Sequence, residues 1–345
     1  MKFTFKELRS SLLVPSISDH SVVQNLTAVS KGFTSQRSKI KEYVMDREMV
    51  SAYTLFYLPS NIPKLEFVFD MLSDDVKESI KSSTIVDLGT GPGTFAFALD
   101  EYFDGDVEVV GVDTSELMVE QAQKINECLY KNQKISFRST MPKSFKGETL
   151  LLGHSLNEMG IEKLMDLVKL HAPENLIIIE PGTSAMFTEV LKLREQMREL
   201  GFQCAFPCAN IESKCPVQKK IEEGQEDWCH QVLRMTHEVD FERLSQIAKL
   251  DRKTMPLIAH VYTKTNLKGP KRARMVRFLR ESKFSFDWEV CFESEGELKM
   301  ATFEVLKKTL SKKEVKSLQK ISVGIDFDYE IMKEINSGHF KVKLL

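Results

Sequence analysis

The run Val86-Asp87-Leu88-Gly89-Thr90-Gly91-Pro92-Gly93 constrains this chain more than any other stretch. It follows a short apolar run, Thr84–Leu88, and precedes Thr94–Tyr102, which has helical character. Glycines let a backbone turn tightly and approach a ligand without Cβ clashes. A bare G-x-G-x-x-G is a weak signal. The pattern here, D-x-G-x-G-x-G, is tighter, and Asp113 ends the next strand-like run 20 residues past Gly93. An acid in that place accepts the hydroxyls of a ribose. The glycine spacing lacks the offset of the dinucleotide fingerprint. A nicotinamide site and a ligand-free turn are therefore the weaker alternatives.

The rest of the chain alternates around this turn. Val107–Asp113, Lys134–Arg138, Thr149–Leu152 and Leu176–Glu180 read as further strands, and Glu116–Leu129, Ile161–Leu170 and Ser184–Leu200 as helices. Strands alternating with helices indicate a parallel sheet covered on both faces. Thr34–Tyr57 and Lys64–Lys81 carry helical apolar spacing, separated by the breaker run Pro59-Ser60-Asn61-Ile62-Pro63. Residues 203–254 have little β character, Leu257–Thr263 and Phe286–Glu293 read as a closing antiparallel pair, and the tail alternates Lys-rich helix with a short strand. The expected divisions are an N-terminal helical segment (1–80), a Rossmann-like domain (81–202), a cysteine-rich insertion (203–254), closing strands with a basic loop (255–300) and a C-terminal tail (301–345).

Four cysteines stand out. Cys208, Cys215 and Cys229 form C-x6-C-x13-C, and Cys291 follows in a strand-like run. Six cysteines in 345 residues are too few for a disulfide scaffold and indicate a reducing compartment. Four thiolates suit zinc or an iron–sulfur cluster, and the absence of paired C-x2-C knuckles favours the cluster. Cys204 is a possible substitute ligand, and His230 offers a Cys3His zinc site; Cys128 has no such company.

Net charge is –2, so whole-chain charge selects no partner. No segment approaches the ~20 apolar residues of a membrane span. The opening MKFTFKELRSSLLVPS lacks the continuous apolar stretch of a secretory signal. Locally the balance differs. Lys264, Lys268, Lys271, Arg272, Arg274, Arg277, Arg280 and Lys283 face a single acid, Glu281, with Gly269-Pro270 projecting them as a loop between strands. Such a strip suits phosphates, and Lys31, Arg37, Lys39 and Lys41 extend it. Lys307 to Lys320 fits an ordinary exposed helix. After the fourth strand, Gly153-His154-Ser155-Leu156-Asn157-Glu158 offers His154 and Glu158 as general bases, each read first as a structural hydrogen-bonding residue because no catalytic partner is visible.

The glycine turn resembles motif I of class I S-adenosylmethionine (SAM) methyltransferases. That resemblance implies that Asp87, Gly89, Gly91 and Gly93 line the amino-acid end of SAM while Asp113 holds its ribose. The chain as a whole resembles the methyltransferase-like family of mitochondrial small ribosomal subunits and its shorter bacterial relatives. DREMVSAYTLFYLPS (46–60), VDLGTGPGT (86–94), LIIIEPGTSAMF (176–187), FPCANIESKCP (206–216), DWCH (227–230) and DWEVCFESEGEL (287–298) carry it in order. Tyr57 stands where the family has arginine, Ala209-Asn210 where it has Pro-His, and Gln231 where it has Phe.

The resemblance implies a class I SAM-methyltransferase fold with an N-terminal helical segment and a cysteine-rich metal-binding insertion. It also implies a 4Fe–4S cluster on Cys208, Cys215, Cys229 and Cys291 (zinc being the alternative), with Cys204 left out. The implied role is assembly or maturation of the small ribosomal subunit through rRNA contact at Lys264–Lys283, with rRNA methylation as a possible activity. The expected state is a monomer off the ribosome, with no membrane partner. The compact length favours a cytoplasmic, bacterial-type form over the mitochondrial matrix. The alternatives are a zinc-bearing RNA-binding module with a vestigial SAM pocket and a small-molecule SAM-dependent methyltransferase.

Overall fold

The computed structural model describes residues 1–35, 46–141, 148–267 and 272–345. Contacts divide the chain into two compact units. The first comprises Met1–Asp70, Glu78–Pro173 and Met235–Lys253; the second comprises Met71–Lys77, Glu174–Arg234 and Thr254–Leu345.

The chain opens with α1 (Phe5–Ser10), α2 (Asp19–Ser35), α3 (Arg47–Phe69) and α4 (Asp74–Lys81). Then come β1 (Thr84–Leu88), α5 (Thr94–Tyr102), β2 (Glu108–Val112), α6 (Glu116–Ile125), β3 (Ile135–Arg138), β4 (Thr149–Gly153), α7 (Leu156–Met159) and α8 (Ile161–His171). In the first unit the strands lie in the order β3-β2-β1-β4, all parallel. Asp87 of β1 sits opposite Gly111 of β2 and Leu151 of β4. β1 and β4 are apolar runs because a parallel sheet with helices on its faces has no wet side. Ile85, Val86, Leu150, Leu151 and Leu152 are fully buried.

The expected break at Pro59–Pro63 does not occur: α3 runs through both prolines. Proline in a helix interior removes a hydrogen bond and costs ~3 kcal/mol. Here nearly every residue from Val50 to Phe69 is buried, including Leu55, Phe56, Leu58, Leu65, Val68 and Phe69. Burial of each large apolar side chain contributes ~1.5–3 kcal/mol, which outweighs two interruptions. Ser60 also donates its hydroxyl to the carbonyls of Phe56 and Tyr57.

The second unit begins with β5 (Asn175–Pro181), α9 (Ser184–Glu199), β6 (Gln203–Phe206), α10 (Pro216–Glu222) and β7 (Gln231–Arg234). The chain next contributes α11 (Val239–Ala248) to the first unit, where it packs on α2. It continues as β8 (Thr254–Thr263), β9 (Ala273–Glu281), β10 (Ser285–Ser294), β11 (Glu297–Leu306), α12 (Lys312–Leu318), β12 (Asp326–Phe327), β13 (Tyr329–Asn336) and β14 (His339–Leu344). β8 pairs antiparallel with β5 on one side and with β6 and β7 on the other. The parallel strands and crossover helices of the first unit have the arrangement of a Rossmann-like α/β fold.

Three expectations are corrected here. No single cysteine-rich insertion spans 203–254: residues to Arg234 belong to the second unit and Met235–Lys253 to the first, and the stretch holds strands β6 and β7. Leu257–Thr263 and Phe286–Glu293 are strands but not partners, since β8 pairs with β5, β6 and β7 whereas β10 pairs with β9 and β11. The tail is β-rich, completing a separate sheet in the order β12-β9-β10-β11-β14-β13 around Trp288, Phe286, Phe292, Phe303 and Phe327.

Candidate cofactor site

The glycine turn joins β1 to α5 in the first unit. The Gly89 amide donates to the Val112 carbonyl (2.8 Å), and a Cβ on Gly89 would lie 2.5 Å from that of Ser155. Ser155 in turn donates its hydroxyl to the Leu88 carbonyl. Gly93 caps α5 at φ +87°, where a Cβ would come within 2.6 Å of the Phe97 ring, so this glycine is a packing requirement. Gly91 differs. It too is left-handed (φ +55°), but a Cβ there would meet nothing within 4 Å. Its side-chain direction opens onto free space.

Two carboxylates belong to this turn, and Asp113 is the one that contacts Gly91. Asp113 accepts from the Gly91 amide and the Ser115 amide, both at 2.8 Å, one on each oxygen. Each carboxylate oxygen keeps a further lone pair. Burial raises the Asp113 pKa, and the two amides oppose that. Asp87 is fully buried. One of its oxygens accepts from the Thr90 hydroxyl (2.6 Å); the other is a buried atom with no hydrogen-bond partner. Burial pushes its pKa up to about 7; the Thr90 hydrogen bond and, to a smaller extent, the Ala96 backbone amide oppose the rise, and the nearby Asp113 charge adds to it. A buried carboxylate oxygen left open is costly unless a ligand group meets it.

Sequence reasoning missed the surroundings. Tyr53 and Tyr57 of α3 pack ring to ring at 4.7 Å, and the Arg252 guanidinium lies 4.8 Å from the Tyr57 ring. Burial raises the Tyr53 pKa; the neighbouring Tyr57 and the charges of Glu158 and Asp113 add to the rise, and Arg252 opposes it. The Ala52-Tyr53 pair of the α3 motif was the available signal; Arg252 gave none, because its segment reads as part of the cysteine-bearing stretch.

His154 does not suit the general-base role. Its Nε2 lies 2.9 Å from the Lys64 ammonium. Burial, then the charges of Lys64 and Arg252, hold its pKa well below the usual value, so the ring is neutral. A neutral Nε2 facing an ammonium accepts a hydrogen bond, and the lone pair a base needs is already engaged.

An alanine at Gly91 separates ligand space from fold. The φ of +55° costs ~1–2 kcal/mol for a side chain, with no clash to add. Gly91→Ala is expected to lower the melting temperature by only a few degrees while abolishing measurable binding of any ligand seated against the turn; paired melting and titration curves check both.

The second unit brings the cysteines together. Cys208 is held low, to about 6, first by the Cys204 thiol and then by the Arg194 and Arg274 guanidinium groups. Burial pushes Cys215 up to about 11 and raises Cys229 and Cys291, with the charge of Cys208 adding to each. Arg194, 1% exposed, also donates to the carbonyls of Asn210 (2.9 Å) and Ser213 (2.6 Å). Proximity is not ligation. Among the described residues, no group of three or more His, Cys, Asp or Glu side chains is arranged to hold a metal ion. This corrects the expected 4Fe–4S cluster on Cys208, Cys215, Cys229 and Cys291, and the zinc alternative with it. Ligation needs thiolates converging at bonding distance in the metal's own geometry, and these thiols do not form such a set among the described residues.

The basic strip also changes. Arg272 pairs with Asp328 (3.2 Å), Arg274 with Asp326 (2.7 Å), Arg280 with Asp287 (2.6 Å), and Arg277 with Asp227 and Glu289. Those acids lie outside the strip in sequence, which is why the run alone reads as unopposed charge. Lys268, Gly269, Pro270 and Lys271, the residues Arg37, Lys39 and Lys41, and the side chain of Lys31 lie outside the described residues. Among the described residues no helix is long and apolar enough to cross a membrane.

A SAM dependent methyltransferase from Aquifex aeolicus is 20% identical to this chain, with 42% of this chain and 89% of that one covered at a TM-score of 0.31. An O-methyltransferase family protein from Burkholderia thailandensis is 11% identical over 55% of this chain and 68% of that one, at 0.41. The tRNA (uracil-54, C5)-methyltransferase of Pyrococcus abyssi is 22% identical over 30% and 26%, at 0.25. The fold assignment rests on the strand order and pairing. Among curated proteins, none matches in sequence. A family model described as mitochondrial small ribosomal subunit Rsm22 matches residues 47–308. That description names a mitochondrial particle and overturns the expectation of a cytoplasmic protein in favour of its alternative. With well over half of its length matched, the chain belongs to the Rsm22 family.

Proposed function

We propose that the chain binds SAM at the β1–α5 turn of its first unit and works on the mitochondrial small ribosomal subunit, in contact with its RNA. The observation that carries the SAM reading is the opening at Gly91 beside the Asp113 carboxylate, with a partnerless Asp87 oxygen buried in the same turn. Asp113 would take the ribose hydroxyls on its free lone pairs. Gly89, Gly91 and Gly93 would keep the backbone close to the ligand, and Asp87 would receive the ammonium of its amino-acid end. SAM supplies an electrophilic methyl group; the residues here bind and orient. The engagement of His154 by Lys64 favours a protein that holds SAM without base-assisted transfer. The small-subunit role is supported by membership of the Rsm22 family.

The Asp87 shift makes a pH test available. The carboxylate receives an ammonium only when ionised, and its pKa is about 7. SAM affinity is therefore expected to fall roughly tenfold per pH unit below ~7, and to fall again above ~8 as the ligand's α-amino group loses its proton. Asp87→Asn should flatten the acid limb. An unchanged acid limb in that variant would assign the titration elsewhere. Stability runs the other way. With its folded pKa above the unfolded value, Asp87 favours the ligand-free native state at low pH, and that contribution is lost as pH rises through about 7.

A further inference from the structure

The separate sheet of the second unit closes on itself. β9, β10 and β11 form an antiparallel meander; β14 joins β11 in parallel; β13 joins β14 antiparallel; and β12 returns to β9 antiparallel. Only Asp328 separates β12 from β13, and its carbonyl accepts from the Leu345 amide (3.1 Å), continuing the β13–β14 ladder. β12 and β13 are thus one bent strand that pairs with β9 at its start and β14 along its length. Counting it once gives five strands in the closed order 1-2-3-5-4-1, with strands 3 and 5 parallel and α12 between strands 3 and 4. This is the connectivity of an OB-type barrel, a fold that binds oligonucleotides on strands 2 and 3 and on the loops joining strands 1–2 and 4–5.

Fold alone assigns no ligand. Part of the strand 2–3 face is occupied by the chain itself: Glu289 pairs with Lys220 and Arg277, and the Leu298 amide donates to the Ser213 hydroxyl. The strand 1–2 loop is different. Phe284 at its tip is 71% exposed. It is not on a loose loop, because the Ser282 hydroxyl accepts from both the Phe284 amide (3.1 Å) and the Ser285 amide (2.9 Å), and the Phe284 carbonyl accepts from the Lys307 amide (2.9 Å). The Lys283 ammonium lies 5.7 Å from the Phe284 ring centroid. α12 is tied to the same turn by Gln319, which donates to Glu281 (2.8 Å). Lys308, Lys312 and Lys313 at the start of that segment are exposed and make no ion pair among the described residues. The arginines of β9 are all paired; these lysines are not.

We infer that single-stranded RNA docks on this end of the barrel, with a base stacked on Phe284 and phosphates met by Lys283, Lys308, Lys312 and Lys313. A fixed, exposed aromatic ring beside a cation, with further unpaired lysines on the adjoining segment, is the combination that holds unpaired nucleotides without regard to sequence. The inference deepens the small-subunit reading, on which it rests for the source of the RNA, and it moves the contact away from the arginine strip of β9.

The test is fluorescence anisotropy with a labelled twelve-nucleotide oligouridylate, a duplex RNA of the same length, and phosphatidylserine vesicles. Oligouridylate is expected to bind best. Phe284→Ala should weaken it by ~10-fold or more, Phe284→Trp should restore it, and a Lys308→Glu, Lys312→Glu, Lys313→Glu triple variant should lower the salt slope by ~2. All these positions are solvent-facing, so melting temperatures should stay unchanged and certify the fold. Silence of the wild type towards oligouridylate, indifference to Phe284→Ala, or tighter binding to duplex or vesicles would each overturn the inference. SAM titrations of the same variants should match wild type, so failure here is distinguishable from failure of the SAM reading.

Discussion

Asp113→Ala is expected to raise the dissociation constant for SAM by at least ~100-fold, to the limit of detection by calorimetry. The carboxylate accepts from both the Gly91 amide and the Ser115 amide and stands beside the opening at Gly91. Hydrogen bonds to a charged group contribute ~1.5–3 kcal/mol each, and two ribose hydroxyls are at stake. The loss has a second component, since the Gly91 amide no longer has an acceptor and the turn keeps only its Gly89 and Thr90 ties to the Val112 carbonyl. Asp113→Asn separates the two. Its amide oxygen can still accept from Gly91, though its NH2 then faces the Ser115 amide, so the turn keeps the Gly91 bond and gives up the Ser115 one, while the loss of charge should weaken SAM by ~10-fold or more. Equal affinity in wild type and Asp113→Asn would mean that the ribose is held elsewhere.

Trp288→Ala is expected to destabilise the barrel of the second unit by ~3–5 kcal/mol, the range for emptying the space of a fully buried large aromatic side chain. Trp288 is completely buried at the centre of β10. Its ring meets Phe327 edge-on at 5.2 Å, joining strand 2 to the strand that closes the barrel; Phe327 in turn lies 6.3 Å from Phe303 of β11. Its indole nitrogen has no partner, so Trp288→Phe gives up no hydrogen bond and should cost far less than alanine. Denaturant midpoints for the two variants check the ranking. A loss below ~1 kcal/mol for alanine would show that the barrel core is not organised around this ring.

The α/β part of the fold was legible because its signals are local. Thr84–Leu88 and Thr94–Tyr102 read with their observed boundaries, since a buried apolar strand, a glycine turn and a helix follow within a few residues. The path of α3 was not legible: helix-breaking prolines are a local rule, and the burial that overrides them is tertiary. The barrel was missed for a similar reason. β13 is exposed along most of its length, so it lacks the alternation that marks a half-buried strand, and β12 is two residues long. Charge misled in the same way, because Asp227, Asp287, Glu289, Asp326 and Asp328 reach the β9 arginines only through folding. Around the β1–α5 turn, the glycine pattern and the acid after β2 were legible as a motif, whereas Tyr53, Lys64 and Arg252 come from distant segments. The cysteine spacing identified residues that do become neighbours, but convergence of thiols did not produce a set arranged for metal.

Calorimetric titration of the wild-type protein with SAM at pH 7.5 tests the central claim most directly. The open direction at Gly91, the free lone pairs of Asp113 and the unpaired oxygen of Asp87 predict a saturable isotherm with one SAM per chain, competed by S-adenosylhomocysteine. The absence of saturable heat up to millimolar SAM, from protein whose melting curve shows it folded, would contradict it.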